Sequence, residues 1–349
     1  MKWYKLVFKQ EQPIHLGALK WGVVNETEIF IPGWTMWGAL TSFYLKQQNI
    51  FQNQDKSKNV KEMVPHDKAK AWDVEQIKRM FEHITNFYPA LCCGESEEIL
   101  SGPLFPHYEK GRFYLGDYWE EKFKFEFVDT MMSTAIEPVS RRAKDEQLHE
   151  LEYILPTSKA RPGTEWEQSR KLYWVGLIGF DDEMVQEALM FLKGFPKIYV
   201  GGDTRYGFGL LKLSTVEELD CGYVKKENKE RQTDDELNKS KKQQGKGEEY
   251  EKVEQREELK LWGLDEDGCL CWGDKGNNLF LKQFLEFSPE IKFEGEIKLI
   301  AEFDFGQNTP RVQTAGYYVN VGSKIKIDNE LDNNMLKRYC LYKGKFILC

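Results

Sequence analysis

One stretch divides the chain before any element is assigned. Lys225 to Lys260 holds eleven basic and eleven acidic side chains in 36 residues, with only four large apolar or aromatic ones. Such a segment cannot bury enough apolar area to offset its chain entropy, so it reads as a solvated linker. It splits the 349 residues into a long first part and a shorter second one, each large enough for its own core. Hydrophobic residues make up 41% of the chain, so the flanking parts are globular.

Periodicity orders the first part. Lys2–Lys9 is rich in aromatic and β-branched residues and reads as a strand. Pro32-Gly33 then opens a helix whose apolar face is Met36, Trp37, Leu40 and Tyr44. Residues 48–120 are set aside as an insertion with one helix from Asp73 and otherwise loop-like. Phe123, Phe125 and Phe127 alternate with Lys122, Lys124 and Glu126, which predicts a half-buried strand. A strand over Lys171–Phe180, a helix through Leu192 and a strand ending near Leu213 complete the series. The expected class is α+β: a ferredoxin-like (RRM-like) βαββαβ domain over 1–220, whose antiparallel sheet would leave one face open. A charged linker over 221–260 and a β-rich α+β domain over 261–349 would follow. Ile297, Leu299, Ala301, Phe303 and Phe305 alternate along one strand of the latter.

The segment richest in chemistry is Gly201-Gly202-Asp203-Thr204-Arg205-Tyr206-Gly207-Phe208-Gly209. Four glycines in nine residues let the backbone turn sharply and approach a ligand. Bare amides there suit phosphate, Arg205 adds a charged fork, and Tyr206 or Phe208 offers a stacking surface. Gly201-Gly202-Asp203 lacks the second carboxylate of a metal-binding polymerase or cyclase hairpin, because Thr204 stands in its place. Seven scattered cysteines suggest no disulfide framework, and the Cys269/Cys271 pair has no second pair at metal-ligand spacing. Reduced thiols, no metal and no cofactor are expected. The net charge of −8 opposes a basic protein but not a local basic groove. Met1–Lys5 carries no signal pattern and no apolar run spans a bilayer, so a cytoplasmic protein without a membrane partner is expected.

Three segments together resemble the RAMP superfamily of CRISPR-associated proteins. One is the glycine loop, placed after the second helix and entering the last strand. Another is Ile31-Pro32-Gly33 followed by Gly38-Ala39-Leu40 at the entry to the first helix. The third is Ser133–Tyr153, which contains Arg141, Arg142 and Lys144 and is similar to the family's protruding thumb hairpin. The resemblance implies guide RNA and other effector subunits, including neighbouring RAMP proteins, as partners in a type III-like complex of antiviral defence. It implies RNA contact at Gly33, Gly38, Arg141, Arg142, Lys144 and Gly201 to Gly209, with the 5′ repeat-derived end of the guide as the bound segment. Target-cleaving members carry an aspartate in the loop after the first strand. Gln10–Glu28 has none, leaving Glu26 and Glu28 as the nearby carboxylates. Guide-processing members use a histidine, for which His15 is the candidate. An RNA-holding subunit is therefore favoured over either nuclease and over a ferredoxin-like RNA-binding protein outside defence systems.

Overall fold

The computed structural model describes residues 1–57, 74–93, 102–159, 169–194, 197–219, 258–271, 280–304, 309, 311–326 and 338–349. Most of the charged stretch thus lies outside the described residues. The described chain is mixed α+β in two units. The first is built on an antiparallel sheet in the order Lys197–Tyr199, Leu210–Leu219, Lys2–Gln10, Arg170–Phe180, Tyr88–Cys93. Without its short edge strand, the sheet runs fourth, first, third, second in chain order. Helix Gly33–Ser57 lies between the first and second of these strands and helix Val185–Gly194 between the third and fourth, which is a split βαβ arrangement.

The second strand of that plan is not where alternation put it. Glu120–Phe127 is a helix, and the sheet strand is Tyr88–Cys93, inside the stretch set aside as an insertion. Phe123 and Phe127 stack at 4.9 Å, one helical turn apart, and both are buried, while Phe125 points outward. Three phenylalanines at every second position serve either period, and the packed pair at i, i+4 decides for the helix. The first helix also runs on to Ser57, past the three turns that its apolar face marks out.

Both faces of the central sheet are covered, contrary to the open face expected. On one side Tyr4 meets Phe180, which continues through Phe81 to Phe191 under the helices. Trp3 points the other way by strand alternation. Its indole N–H donates to the Glu266 carbonyl (3.0 Å), and Lys5 pairs with Glu258 (2.6 Å). The segment from Glu258, counted in the sequence as the end of the linker and start of the second unit, supplies this cover; Leu259 and Trp262 are buried.

The second unit is a sheet in the order Ile297–Asp304, Arg311–Val319, Phe284–Glu286, Lys345–Leu348, Tyr339–Tyr342. One buried apolar cluster runs through both units. Asn86 pins them together. Its Oδ1 accepts the Gly33 amide (2.8 Å), and its Nδ2 donates to the carbonyls of Lys282 (3.1 Å) and Gly344 (3.2 Å). Cys340 and Cys349 are joined as a disulfide, which corrects the expectation of reduced thiols throughout. Strand pairing supplies what spacing could not: Tyr339–Tyr342 and Lys345–Leu348 form a hairpin that folds the two cysteines back on each other. No helix among the described residues is long and apolar enough to cross a membrane.

Asn86→Ala would leave the buried Gly33 amide without its acceptor, while the Lys282 and Gly344 carbonyls keep the Tyr88 hydroxyl and the Phe284 amide as donors. A buried donor left unpaired costs about 1–3 kcal/mol, so a loss of about 2 kcal/mol is expected in urea unfolding. A loss below about 1 kcal/mol would show that the junction does not depend on this side chain.

Candidate nucleic-acid interface

The stretch Gln10–Glu28, irregular by sequence, contains a hairpin, Gly17–Trp21 with Val24–Thr27. It is built onto a second hairpin, Val128–Ser133 with His149–Ile154, through parallel pairing of Val24 and Asn25 with Glu150 and Leu151. The result is a four-stranded sheet from which residues 134–148 project as a finger. The finger tip has defined backbone. Ile136 bridges Ala143, the Glu137 amide donates to the Arg142 carbonyl (2.9 Å), and the Arg141 amide donates to the Glu137 carbonyl (2.8 Å). Arg141 sits at φ 54°, in the left-handed region. Arg141, Arg142 and Lys144 are exposed, and none enters an ion pair among the described residues.

The glycine loop is fastened to the base of this finger through His15. The Gly202 amide donates to the His15 carbonyl (3.0 Å), and the Gly209 amide donates to the Pro13 carbonyl (2.7 Å). On its other side, His15 Nδ1 lies 2.7 Å from the Glu152 carbonyl in the returning finger strand. A carbonyl only accepts, so Nδ1 carries the proton. Ile14 pairs with Ile154, and Phe208 packs edge-on against Tyr153 at 5.4 Å. Loop, first-strand exit and finger base therefore form one hydrogen-bonded unit.

Within the loop the glycines do different jobs. Gly201, at φ +77°, has no room for a side chain, since a Cβ there would come within 2.2 Å of the His15 carbonyl oxygen. Gly209 is packed as closely against Val200, whereas Gly207 faces open space. Asp203 adopts the left-handed conformation at φ 53° and starts a short 3-10 turn over Thr204–Tyr206. The amides of Asp203, Thr204 and Arg205 have no acceptor among the described residues, and all three residues are exposed. Tyr206 is 79% exposed. Phe208 is buried, so of the two aromatics only Tyr206 offers a stacking face.

Other candidates lie elsewhere. Gly33 is buried, and a Cβ there would stand 2.5 Å from the Gly344 amide nitrogen. The space beside this helix start, where the resemblance implied RNA contact, is filled by the second unit, so the glycine is packed against Gly344. Gly38 lies four residues into the helix with no atom within 4 Å of its would-be Cβ. Glu26 and Glu28 line a cleft of about 630 Å³ with Glu120, Lys124, Glu296 and Lys298. Glu28 is engaged in an ion pair with Lys298. Among the described residues no three His, Cys, Asp or Glu ligand atoms converge in that cleft as a metal would require. No local pattern marks it, because its walls come from separated segments around residues 18–30, 108–124, 296–299 and 320.

No family model matches the chain, and no curated protein sequence matches it. Among solved structures it is similar to a chain of the Type III-B Cmr-beta bound to cognate target RNA. The identity there is 11% and the TM-score 0.46, over 99% of this chain and 99% of that one. A chain of the same assembly bound to cognate target RNA and AMPPnP gives 11% and 0.45 over 96% of this chain and 92% of that one. A chain of its apo state gives 11% and 0.35 over 61% and 96%. All three were determined by cryo-EM.

Two substitutions separate close packing from turn geometry. Gly207→Ala meets no atom and costs the left-handed conformation alone, about 1 kcal/mol. Gly201→Ala adds a collision with fixed backbone and should cost at least about 2 kcal/mol in thermal or urea unfolding. Equal costs would mean that the loop is not held against His15.

Proposed function

We propose that this chain is a RAMP-type subunit of a type III-like CRISPR effector complex. In this reading it holds guide RNA between its glycine loop and its finger. The observation that carries the reading is the attachment of both elements to His15, which ties the loop to the base of the finger. Three unpaired amides, Arg205 and the exposed Tyr206 ring are the loop's contribution. Arg141, Arg142 and Lys144 are the finger's.

The chemistry suits a single strand. Amides and guanidinium groups contact phosphate and set register without reading bases. A tyrosine face stacks any base, worth about 1–3 kcal/mol. Because the central sheet is covered on both faces, the strand would lie along the rim of the fold rather than across the sheet. The net charge of −8 is no obstacle, because binding follows the local field. Sister subunits would contact the remaining surface, and the bound segment in this reading is the 5′ repeat-derived end of the guide.

His15 acts here as a positioning residue. It is buried, with its Nδ1 proton committed to Glu152, so it serves the interface by holding loop and finger together. Protein incubated with repeat RNA in EDTA should therefore leave the RNA intact. Specific cleavage abolished by His15→Ala would instead identify a metal-independent endoribonuclease.

Replacing Arg141, Arg142 and Lys144 by Ala should weaken single-strand RNA binding at least tenfold. It should also lower the salt slope, log Kd against log salt, by about 2, at roughly 0.7 per lost phosphate contact. Arg205→Ala should add a further loss of about 0.7 in slope. Binding and slope unchanged in the quadruple variant, with folding intact by circular dichroism, would overturn the assignment.

A further inference from the structure

Cys269 meets Cys340 and Cys349, more than 70 residues further along the chain, at one end of the second sheet. Cys340 belongs to strand Tyr339–Tyr342, and Cys349 follows strand Lys345–Leu348. Cys269 faces Cys340 across an antiparallel bridge. All three sulfurs lie within 4.8 Å of one another. Cys340 and Cys349 are bonded, and Cys269 Sγ stands 3.1 Å from Cys340 Sγ. A structural disulfide uses two cysteines and leaves the third without a purpose there. Three sulfurs around one point are the donor set of a soft cation.

We propose that the reduced cluster is a thiolate metal site of the zinc type, held by Cys269, Cys340 and Cys349. Thiolates bound to one tetrahedral zinc at about 2.3 Å stand about 3.8 Å apart. The bonded pair then separates by less than ~2 Å, and Cys269 moves by less than ~1 Å. The fourth position falls to a water or to Cys271, two residues along from Cys269. Formation is balanced in two steps. A dithiol reductant gives two electrons and two protons to the Cys340–Cys349 bond and closes to its own disulfide. The cation then displaces the three thiol protons. Entry is open, since Cys349 is exposed and the other two are half-buried.

Position gives the site a purpose. Cys269 ends the turn Asp265–Gly268, in which the Gly268 amide donates to Asp265 and the Cys269 amide to the Asp265 carboxylate. That turn covers Trp3 in the central sheet: the Glu266 carbonyl accepts its indole N–H, and a Cβ on Gly268 would lie 3.1 Å from its ring. A cation shared with Cys340 and Cys349 would therefore clamp this cover to the second sheet, as the disulfide alone does not.

The test uses the full chain, reduced with a water-soluble phosphine, freed of it without air and titrated with Co²⁺. One equivalent should give sulfur-to-metal charge-transfer absorption and the visible bands of a tetrahedral ion, both displaced by Zn²⁺. Cys269→Ser leaves the disulfide pair intact and should weaken Co²⁺ binding at least tenfold. Independently of any variant, bound Zn²⁺ should protect Cys269, Cys340 and Cys349 from alkylation, read by mass spectrometry, while a denatured control labels fully. Absence of the charge-transfer band in the reduced wild type, an unchanged Cys269→Ser titration, or equal labelling with and without Zn²⁺ would each overturn the proposal.

Discussion

His15 gives its carbonyl to the Gly202 amide and its Nδ1 proton to the Glu152 carbonyl, and the candidate interface depends on that double attachment. A glycine-rich loop alone would sample many shapes, because each glycine gives up more backbone freedom on ordering than other residues do. A projecting hairpin alone would sway about its base. Joined through one buried residue, with Phe208 packed on Tyr153 and Ile14 paired with Ile154, they keep a fixed relation. Preorganisation of this kind lowers the ordering cost of binding, so a few exposed cations and amides can suffice.

The second constraint is the cover over the central sheet. A sheet face that stacks bases must be bare, and here Glu258 to Gly268 lies across it, fixed by Trp3 and Lys5. The junction at Asn86 closes the first helix start in the same way. Both features use surface that a free-standing RNA-binding domain would leave open. Loop and finger project beyond these covered faces, and Arg205, Tyr206, Arg141, Arg142 and Lys144 are exposed there.

The sequence made much of this legible, and the misses have physical causes. The strand at Lys2, the helix from Gly33 and the glycine loop carry strong local signals, and they form as expected. The helix at Glu120 does not, because alternation of Phe123, Phe125 and Phe127 is also compatible with i, i+4 pairing, and only tertiary packing chose between them. Gly33 carries a motif suggestive of ligand approach, yet what approaches is Gly344, more than 300 residues later in the chain. Cys269 and Cys271 lacked a partner pair at metal-ligand spacing, because Cys340 and Cys349 come to Cys269 only through sheet pairing. Long-range closure leaves no mark on local pattern, whereas loop chemistry does.

Ultraviolet crosslinking of RNA bound to the purified chain, followed by mass spectrometry of the modified peptides, tests the central claim most directly. One RNA is expected to crosslink both to Tyr206 in the glycine loop and to the finger peptide around Arg141 and Arg142. Crosslinks confined to strands Ile297–Asp304 and Arg311–Val319, or to the cleft around Lys124 and Lys298, with none at Tyr206 or the finger, would contradict this.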